Sequence, residues 1–179
     1  MSDNSRTRRR HPMKARERNM HPVQMLAAIL TLLMASLAHA DTLVAGAVIE
    51  PFTIADQHGR SAAVDDDVRV IMFSRDMTAN KLAKKAFLDK PQSFLDDAHA
   101  MYLIDVSGMP GFVTRMFAIP KMQKYGYRIF LDREGSLTAA LPAREDEVTI
   151  LTMNGLEVTS VEYVKDAAAL VQAVAAARP

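Results

Sequence analysis

A run of polar side chains that could bind a ligand or take part in a reaction follows an apolar stretch of the predicted domain. Residues 68–73 are mostly apolar, and residues 74–80 are mostly polar. In open α/β sheets the crevice between a strand and the next helix often binds ligands, and the first helical turn offers free N–H groups to an anion. Arg75 is suited to pair with a ligand carboxylate or phosphate. The alternative interpretation is that Asp76 or Thr78 only caps the helix while Arg75 is solvated.

The same loop carries no sulfur nucleophile, because the whole chain contains no cysteine. Thiol–disulfide exchange and cysteine-based peroxide reduction both need a thiolate, so both activities are excluded. Beyond residue 40 the only imidazole bases are His58 and His99, which lie in separate segments. The motifs of serine hydrolases, zinc proteases, nucleotide-binding loops and dinucleotide-binding folds do not occur. We therefore expect a noncatalytic protein without a cofactor.

Two further groups of possible metal ligands have simpler explanations. Residues 41–179 contain seven methionines, but no M-x-M or M-x-x-M spacing that would favour a copper(I) site. We expect most of them to fill space in the core. Acidic clusters occur at residues 65–67, 96–97 and 145–147, without the alternating spacing of a calcium loop. These clusters are predicted to be solvated turns, and no metal site is expected.

The first forty residues have the organisation of an export signal. A basic stretch at residues 6–18 precedes an apolar run at residues 25–37, and Ala38-His39-Ala40 matches a small-residue cleavage site. The apolar run is shorter than the roughly 20 residues that a membrane-spanning helix needs. We predict a signal peptide at residues 1–40, a mature domain at residues 41–179, periplasmic or secreted, and no stable membrane anchor after cleavage.

The charge distribution argues against nucleic acid as a partner. Residues 1–40 hold seven of the 22 Lys and Arg and two of the 21 Asp and Glu. Residues 41–179 therefore carry 15 basic and 19 acidic side chains, a net charge of −4. A nucleic-acid backbone requires clustered Lys and Arg, which a mildly acidic domain without a basic block does not supply.

Strand and helix periodicities alternate along the predicted domain. The predicted order is β-hairpin, β, α, β, α, β, β-hairpin, α. The strands are predicted at residues 52–55, 61–64, 68–73, 101–106, 127–131, 148–153 and 158–164, and the helices at residues 77–88, 112–118 and 166–177. Pro120 is expected to kink or restart the middle helix, and Asn154-Gly155 to form the last hairpin turn. The order predicts an α/β fold.

Four segments resemble the peroxiredoxin and thioredoxin-like (redoxin) superfamily. Residues 51–60 resemble its entry hairpin, and residues 70–81 its first core strand and active-site loop. Residues 127–135 resemble its L-x-D-x-x-G segment, and residues 148–164 its closing hairpin. The resemblance covers roughly residues 46–177. It implies a thioredoxin-like three-layer fold, with a central mixed β-sheet flanked by helices and an N-terminal β-hairpin.

The chain departs from this family where the family performs its chemistry. Met77 and Asn80 stand where the C-x-x-C motif would place its two cysteines. Glu147 stands where a cis-proline would precede the closing hairpin and shape the substrate groove. The resemblance thus implies a degenerate member that has the fold and lacks the thiol chemistry, with an altered peptide-binding groove.

We therefore expect an exported, noncatalytic thioredoxin-like domain that binds a protein or peptide of the cell envelope through its former active-site face. The candidate binding residues are Arg75, Asp76, Met77, Thr78, Asn80, Arg115 and Glu147. The alternative is a non-thiol enzyme or a small-ligand-binding protein that uses the same crevice. The oligomeric state stays open.

Overall fold

The computed structural model describes residues 42–178 of the chain. The predicted signal peptide at residues 1–40 lies outside the described residues and stays a prediction. Within residues 42–178, no helix combines the length and the apolar character that crossing a membrane would require.

Apart from one short helix at residues 93–96 that was not predicted, the order of elements agrees with the order predicted from the sequence. The strands are β1 (Phe52–Ala55), β2 (Ser61–Val64), β3 (Val70–Ser74), β4 (Ala100–Asp105), β5 (Phe130–Asp132), β6 (Val148–Asn154) and β7 (Glu157–Val164). The helices are α1 (Met77–Phe87), α2 (Ser93–Asp96), α3 (Gly111–Val113), a π-helical turn (Thr114–Ala118), α4 (Ile119–Met122) and α5 (Ala167–Ala176).

Five of the strands form one mixed sheet in the order β5-β4-β3-β6-β7. The β3–β4 and β4–β5 pairs are parallel, whereas β3–β6 and β6–β7 are antiparallel. Strands β1 and β2 form a separate antiparallel hairpin. The predicted α/β class, with a central mixed sheet and an N-terminal hairpin, is confirmed.

The central strand β3 shows how the sheet separates two cores. All five of its residues are buried, as expected for a strand covered on both faces. Val70 and Met72 pack into the core that includes the helices, and Ile71 and Phe73 pack into the core on the hairpin side. This alternation follows from the two-residue period of a strand. The result is three layers, made of helices, sheet and hairpin.

The hairpin is fastened to the β5 edge of the sheet by a group of side chains that we name the edge latch: Asp56, Gln57, Arg60 and Arg128. The buried Asp56 carboxylate pairs with both guanidinium groups at 3.0 Å. Gln57 Nε2 donates to the Tyr127 carbonyl at 2.8 Å, and Gln57 Oε1 accepts from the Ile129 N–H at 2.8 Å. The latch therefore satisfies backbone groups that the short β5 leaves unpaired.

The edge latch also explains where the sequence prediction for β5 was wrong. A strand was expected at residues 127–131, but β5 covers only Phe130–Asp132. Tyr127 and Ile129 are buried and hydrogen-bonded, yet their partner is Gln57, which uses its side chain for both residues and its backbone N–H for the Ile129 carbonyl. A β-rich sequence and a buried position were thus not sufficient to form a strand.

The helical segment at residues 111–122 restarts near Pro120, as expected. A π-helical turn at Thr114–Ala118 leads directly into α4. Pro120 has no N–H to donate, and its ring would clash with the carbonyl of Met116 in a regular α-helix. Widening the preceding turn avoids that clash, and such π-bulges are frequent at functional sites.

Candidate functional site

The loop that follows β3 lies at the carboxyl end of two parallel strands. Arg75 comes directly after β3, and Asp105 is the last residue of the neighbouring β4. Their side chains form an ion pair at 3.0 Å, and the Arg75 guanidinium lies 5.3 Å from the centre of the Phe73 ring. Arg75 is thus exposed to solvent, and its charge is in addition paired within the chain.

A tight turn after β5 contributes a backbone contact to Arg75. Thr138 accepts from Arg75 Nη2 through its carbonyl at 3.4 Å, and donates its own N–H to the buried Asp132 at 2.8 Å. Gly135 has a φ of +75°, and a Cβ there would lie 2.7 Å from Ser107 Oγ. Only glycine fits both requirements.

The N-terminus of α1 is occupied by the carboxylate of Asp76. Its Oδ1 accepts from the N–H groups of Thr78 and Ala79, both at 2.9 Å. Its Oδ2 accepts from the N–H of Asp146 at 3.1 Å. The capping interpretation is confirmed for Asp76, and these N–H groups are not free to bind an external anion.

Three polar side chains meet beneath the first turn of α1. Ser74 Oγ lies 2.7 Å from the Tyr102 hydroxyl, and each hydroxyl lies 2.8 Å from Asn80 Oδ1. The two hydroxyl protons can fill only two of these three contacts at once. Burial raises the pKa of Tyr102 well above its usual value, so its hydroxyl stays protonated. The group is a hydrogen-bonded polar cluster without a base.

Beside this polar cluster a cleft of about 460 Å³ opens between α1 and the helical segment at residues 111–122. Its floor is formed by Tyr102 and Ile104 of β4. Met77 and Asn80, the residues in the two thiol positions, both line it. The volume falls in the range of small-molecule sites, which are mostly apolar with a few polar groups.

The charged residues of the cleft are all lysines. Lys81, Lys84 and Lys121 line it, and no acidic side chain does so within the described residues. The Lys84 ammonium lies 5.3 Å from the centre of the Tyr125 ring. None of the three lysines forms an ion pair with a described residue. The cleft therefore combines an apolar interior with a positively charged mouth.

Four large apolar side chains on α1 and on the segment at residues 111–122, the two elements that border the cleft, are turned towards solvent. We name this group the apolar rim, and its members are Met77, Phe112, Met116 and Phe117, each between 62% and 67% exposed. Met77 and Phe117 also line the cleft. Exposed apolar side chains on neighbouring elements mark interaction sites more often than isolated ones do.

The structure brings together some of the predicted site residues and separates others. Thr78 is exposed in the first turn of α1 and does not line the cleft. Arg115 is exposed on the π-helical turn and also stands outside the cleft lining. Glu147 is half-buried and pairs with Lys165 at 3.3 Å. Of the seven predicted residues, only Met77 and Asn80 line the cleft.

Sequence reasoning missed most of the residues that give the cleft its character, above all the lysines and Phe117. One signal was available: Met77, Lys81 and Lys84 have the spacing of one helical face. The packing of the segment at residues 111–122 against that face was not available from local patterns.

Other candidate ligands among the described residues are placed as follows. Met72, Met101 and Met153 are buried in the core, whereas Met77 and Met116 are exposed. No group of three or more His, Asp or Glu side chains in residues 42–178 is placed to hold a metal ion.

Similar solved structures share the architecture at low sequence identity. The crystal structure of peroxidoxin BcpB from Mycobacterium tuberculosis superposes with a TM-score of 0.51 at 15% identity, covering 76% of this chain and 99% of that chain. The pneumococcal exposed lipoprotein thioredoxin from Streptococcus pneumoniae superposes with a TM-score of 0.50 at 12% identity, covering 71% of this chain and 99% of that chain.

Sequence comparisons give no match, either to a protein-family model or to a curated protein. At these identities the structural likeness establishes the fold alone. The strand order, the N-terminal hairpin and the superpositions together show that this cysteine-free chain has the thioredoxin-like fold.

Proposed function

We propose that this protein is an exported, noncatalytic thioredoxin-like domain that binds an apolar segment of another envelope protein through its former active-site face. The observation that carries the proposal is the apolar rim around the cleft. Its four side chains are exposed; Met77 stands in a thiol position of the resembled family, and Phe117 lines the same cleft as Met77. Leaving them in water is unfavourable, and covering them by a partner removes that cost.

The chemistry of the face supports binding rather than turnover. No histidine or carboxylate lines the cleft within the described part of the chain. Tyr102 is held protonated because burial raises its pKa, so it cannot serve as a base near neutral pH. The alternative of a non-thiol enzyme therefore has no histidine or carboxylate base in the described lining of the crevice, and binding of a small ligand is the second candidate function.

The test of the partner is site-specific photo-crosslinking in intact cells. A photoreactive residue replaces Met116 of the apolar rim, and a matched control replaces Leu88, which is 50% exposed beyond the far end of α1. We expect a discrete crosslinked protein from position 116 and none from position 88. Equal capture at both positions, or none from position 116, contradicts the proposal.

A second variant tests whether capture depends on apolar contact. Phe112→Asp introduces a charge into the apolar rim at an exposed position, so the fold should not change. With the photoreactive residue kept at position 116, we expect the crosslink to be lost. Leu137→Asp, at another exposed apolar position outside the rim, should leave it unchanged.

Export is tested by the N-terminus of the protein recovered from cells. Cleavage after Ala40 gives a chain that begins at Asp41 and lies in the periplasm or the medium. A chain that keeps residues 1–40 and stays in the cytoplasm contradicts the proposed location.

A further inference from the structure

We propose that the cleft beside the polar cluster binds an amphipathic anion, a small molecule with an apolar chain and a single carboxylate. The proposal goes beyond partner binding by the apolar rim and does not depend on it. It rests on the composition of the cleft, which offers apolar surface and positive charge in one place.

The apolar part of the ligand has a defined space to occupy. The cleft has a volume of about 460 Å³, and its inner walls include Ile104, Met109 and Val113. Met109 and Met122 are flexible side chains that adapt to irregular shapes. An alkyl chain placed there would leave water and contact apolar side chains on both walls.

The carboxylate of the ligand would lie near three lysine side chains. Lys81, Lys84 and Lys121 line the cleft without a carboxylate partner among the described residues. The nearby Asp76 carboxylate does not line the cleft and accepts three backbone hydrogen bonds. An anionic head group would therefore find positive charge at the mouth, and a cationic one would be repelled.

The polar cluster adds one neutral donor. Asn80 Oδ1 is used as acceptor by Ser74 and Tyr102, which fixes the orientation of the amide. Its NH₂ group makes no hydrogen bond to a described residue, and Asn80 lines the cleft. The three lysines and the Asn80 NH₂ group can only donate, whereas the hydroxyls of Tyr102, Tyr125 and Tyr127 can donate or accept. The positive charge and the surplus of donors favour a carboxylate over an alcohol or an amine.

The chain supplies its own probe for this site. It contains no tryptophan and four tyrosines, of which Tyr102, Tyr125 and Tyr127 line the cleft. Intrinsic tyrosine fluorescence of the unlabelled protein therefore reports mainly on the cleft. The experiment titrates the full chain, processed as the cell processes it, with decanoate, 1-decanol and decyltrimethylammonium, and confirms each affinity by calorimetry.

We expect saturable binding of decanoate, with the alcohol about tenfold weaker and the ammonium compound weaker still. Added salt should lower the affinity of the protein for decanoate and leave its affinity for 1-decanol unchanged. Equal affinities for the acid and the alcohol overturn the inference, because the lysines would then contribute nothing. Absence of saturable decanoate binding also overturns it.

Matched double variants test the lysines directly. Lys84→Gln with Lys121→Gln removes two charges from the cleft, and we expect decanoate to bind at least about tenfold more weakly. Lys85→Gln with Lys124→Gln removes the same charge from exposed positions next to these residues that do not line the cleft. If both double variants lose affinity equally, the effect is that of net charge and the assigned site is wrong.

A variant that fills part of the cleft tests whether the apolar chain of the ligand binds there. Ala118 lines the cleft and is half-buried, so Ala118→Leu places extra side-chain volume inside it. We expect loss of decanoate binding with an unchanged melting temperature. These titrations use the isolated protein, whereas crosslinking in cells tests the partner, so failure of one proposal leaves the other standing.

Discussion

The edge latch and the cleft differ in whether their charged side chains have partners within the chain. In the latch, the buried Asp56 carboxylate is surrounded by two guanidinium groups and two backbone N–H donors, all from the chain itself. In the cleft, three lysines have no acidic partner among the described residues. Charge that is satisfied within the chain holds the fold together, and charge left at an apolar cleft is available to another molecule.

Removing the carboxylate of the latch should have the largest effect on stability. Asp56→Ala leaves Arg128 and the backbone donors without their acceptor, and breaking a buried ion pair from one side costs about 3 kcal/mol of unfolding free energy. Urea denaturation measures it. Asp66→Ala, at an exposed position nearby, is the control and should change stability little. A small loss for Asp56→Ala would mean that the latch does not hold the hairpin.

The latch should also make stability sensitive to acid. Burial alone would raise the pKa of Asp56, but backbone N–H groups and the two guanidinium groups outweigh it and hold the pKa below the ordinary 3.8. A lowered folded-state pKa gives stability that is present above pH 3.8 and is lost as pH falls through the folded value. Denaturation between about pH 5 and about pH 2 should show this loss, and Asp56→Asn should show less of it.

Two ion pairs of equal length test how burial changes the contribution of an ion pair to stability. Arg128–Asp56 and Arg75–Asp105 both measure 3.0 Å, but the side chains of the first pair are 28% and 0% exposed, and those of the second pair are 46% and 8% exposed. We expect Arg128→Ala to cost about 2 kcal/mol and Arg75→Ala less than about 1 kcal/mol. Equal losses in denaturation experiments would show that burial does not set the difference.

The polar cluster beneath α1 should be less critical than the latch. Tyr102→Phe removes one hydroxyl, but Ser74 still donates to Asn80, so one of the two available hydrogen bonds survives. We expect a loss of about 1 kcal/mol in unfolding free energy. Tyr163→Phe, on the edge strand β7, is the matched control and should be close to neutral. A loss near that of Asp56→Ala would give the cluster a larger structural role.

The smallest effect on stability is expected at the cleft itself. The double variant Lys84→Gln with Lys121→Gln should change the free energy of unfolding by only about 0.5 kcal/mol, because neither lysine has an ion-pair partner among the described residues and Lys84 loses only its contact with the Tyr125 ring. Thermal denaturation without ligand measures it. A clear gain in stability would indicate repulsion among the lysines, and a clear loss would indicate an internal partner.

The sequence was most informative where the pattern is local. The buried strand β3, the helix α1 with its Asp76 cap and the last hairpin follow from hydrophobic period, capping chemistry and a turn signal. Even there, register needed the structure. The buried face of α1 is formed by Ala79, Ala83, Ala86 and Phe87, whereas Leu82 is only half-buried at the margin of the core.

The candidate site was predicted in part. Met77 and Asn80 were identified because they occupy the thiol positions of a known family, and both line the cleft. Arg115 and Glu147 were assigned to the same face and lie outside the cleft lining. The short helix α2 was not predicted at all, because four residues carry too little periodicity to be recognised.

By itself the sequence determined the absence of thiol chemistry, the alternation of strands and helices and the charge balance of residues 41–179. Each of these depends on residue types or on neighbours in the chain. Only the tertiary structure decided that Tyr102 lies beneath Asn80 and that Lys121 faces the same cleft as Lys84. These contacts join residues 22 or more positions apart, and such pairs are set by how the helices pack on the sheet.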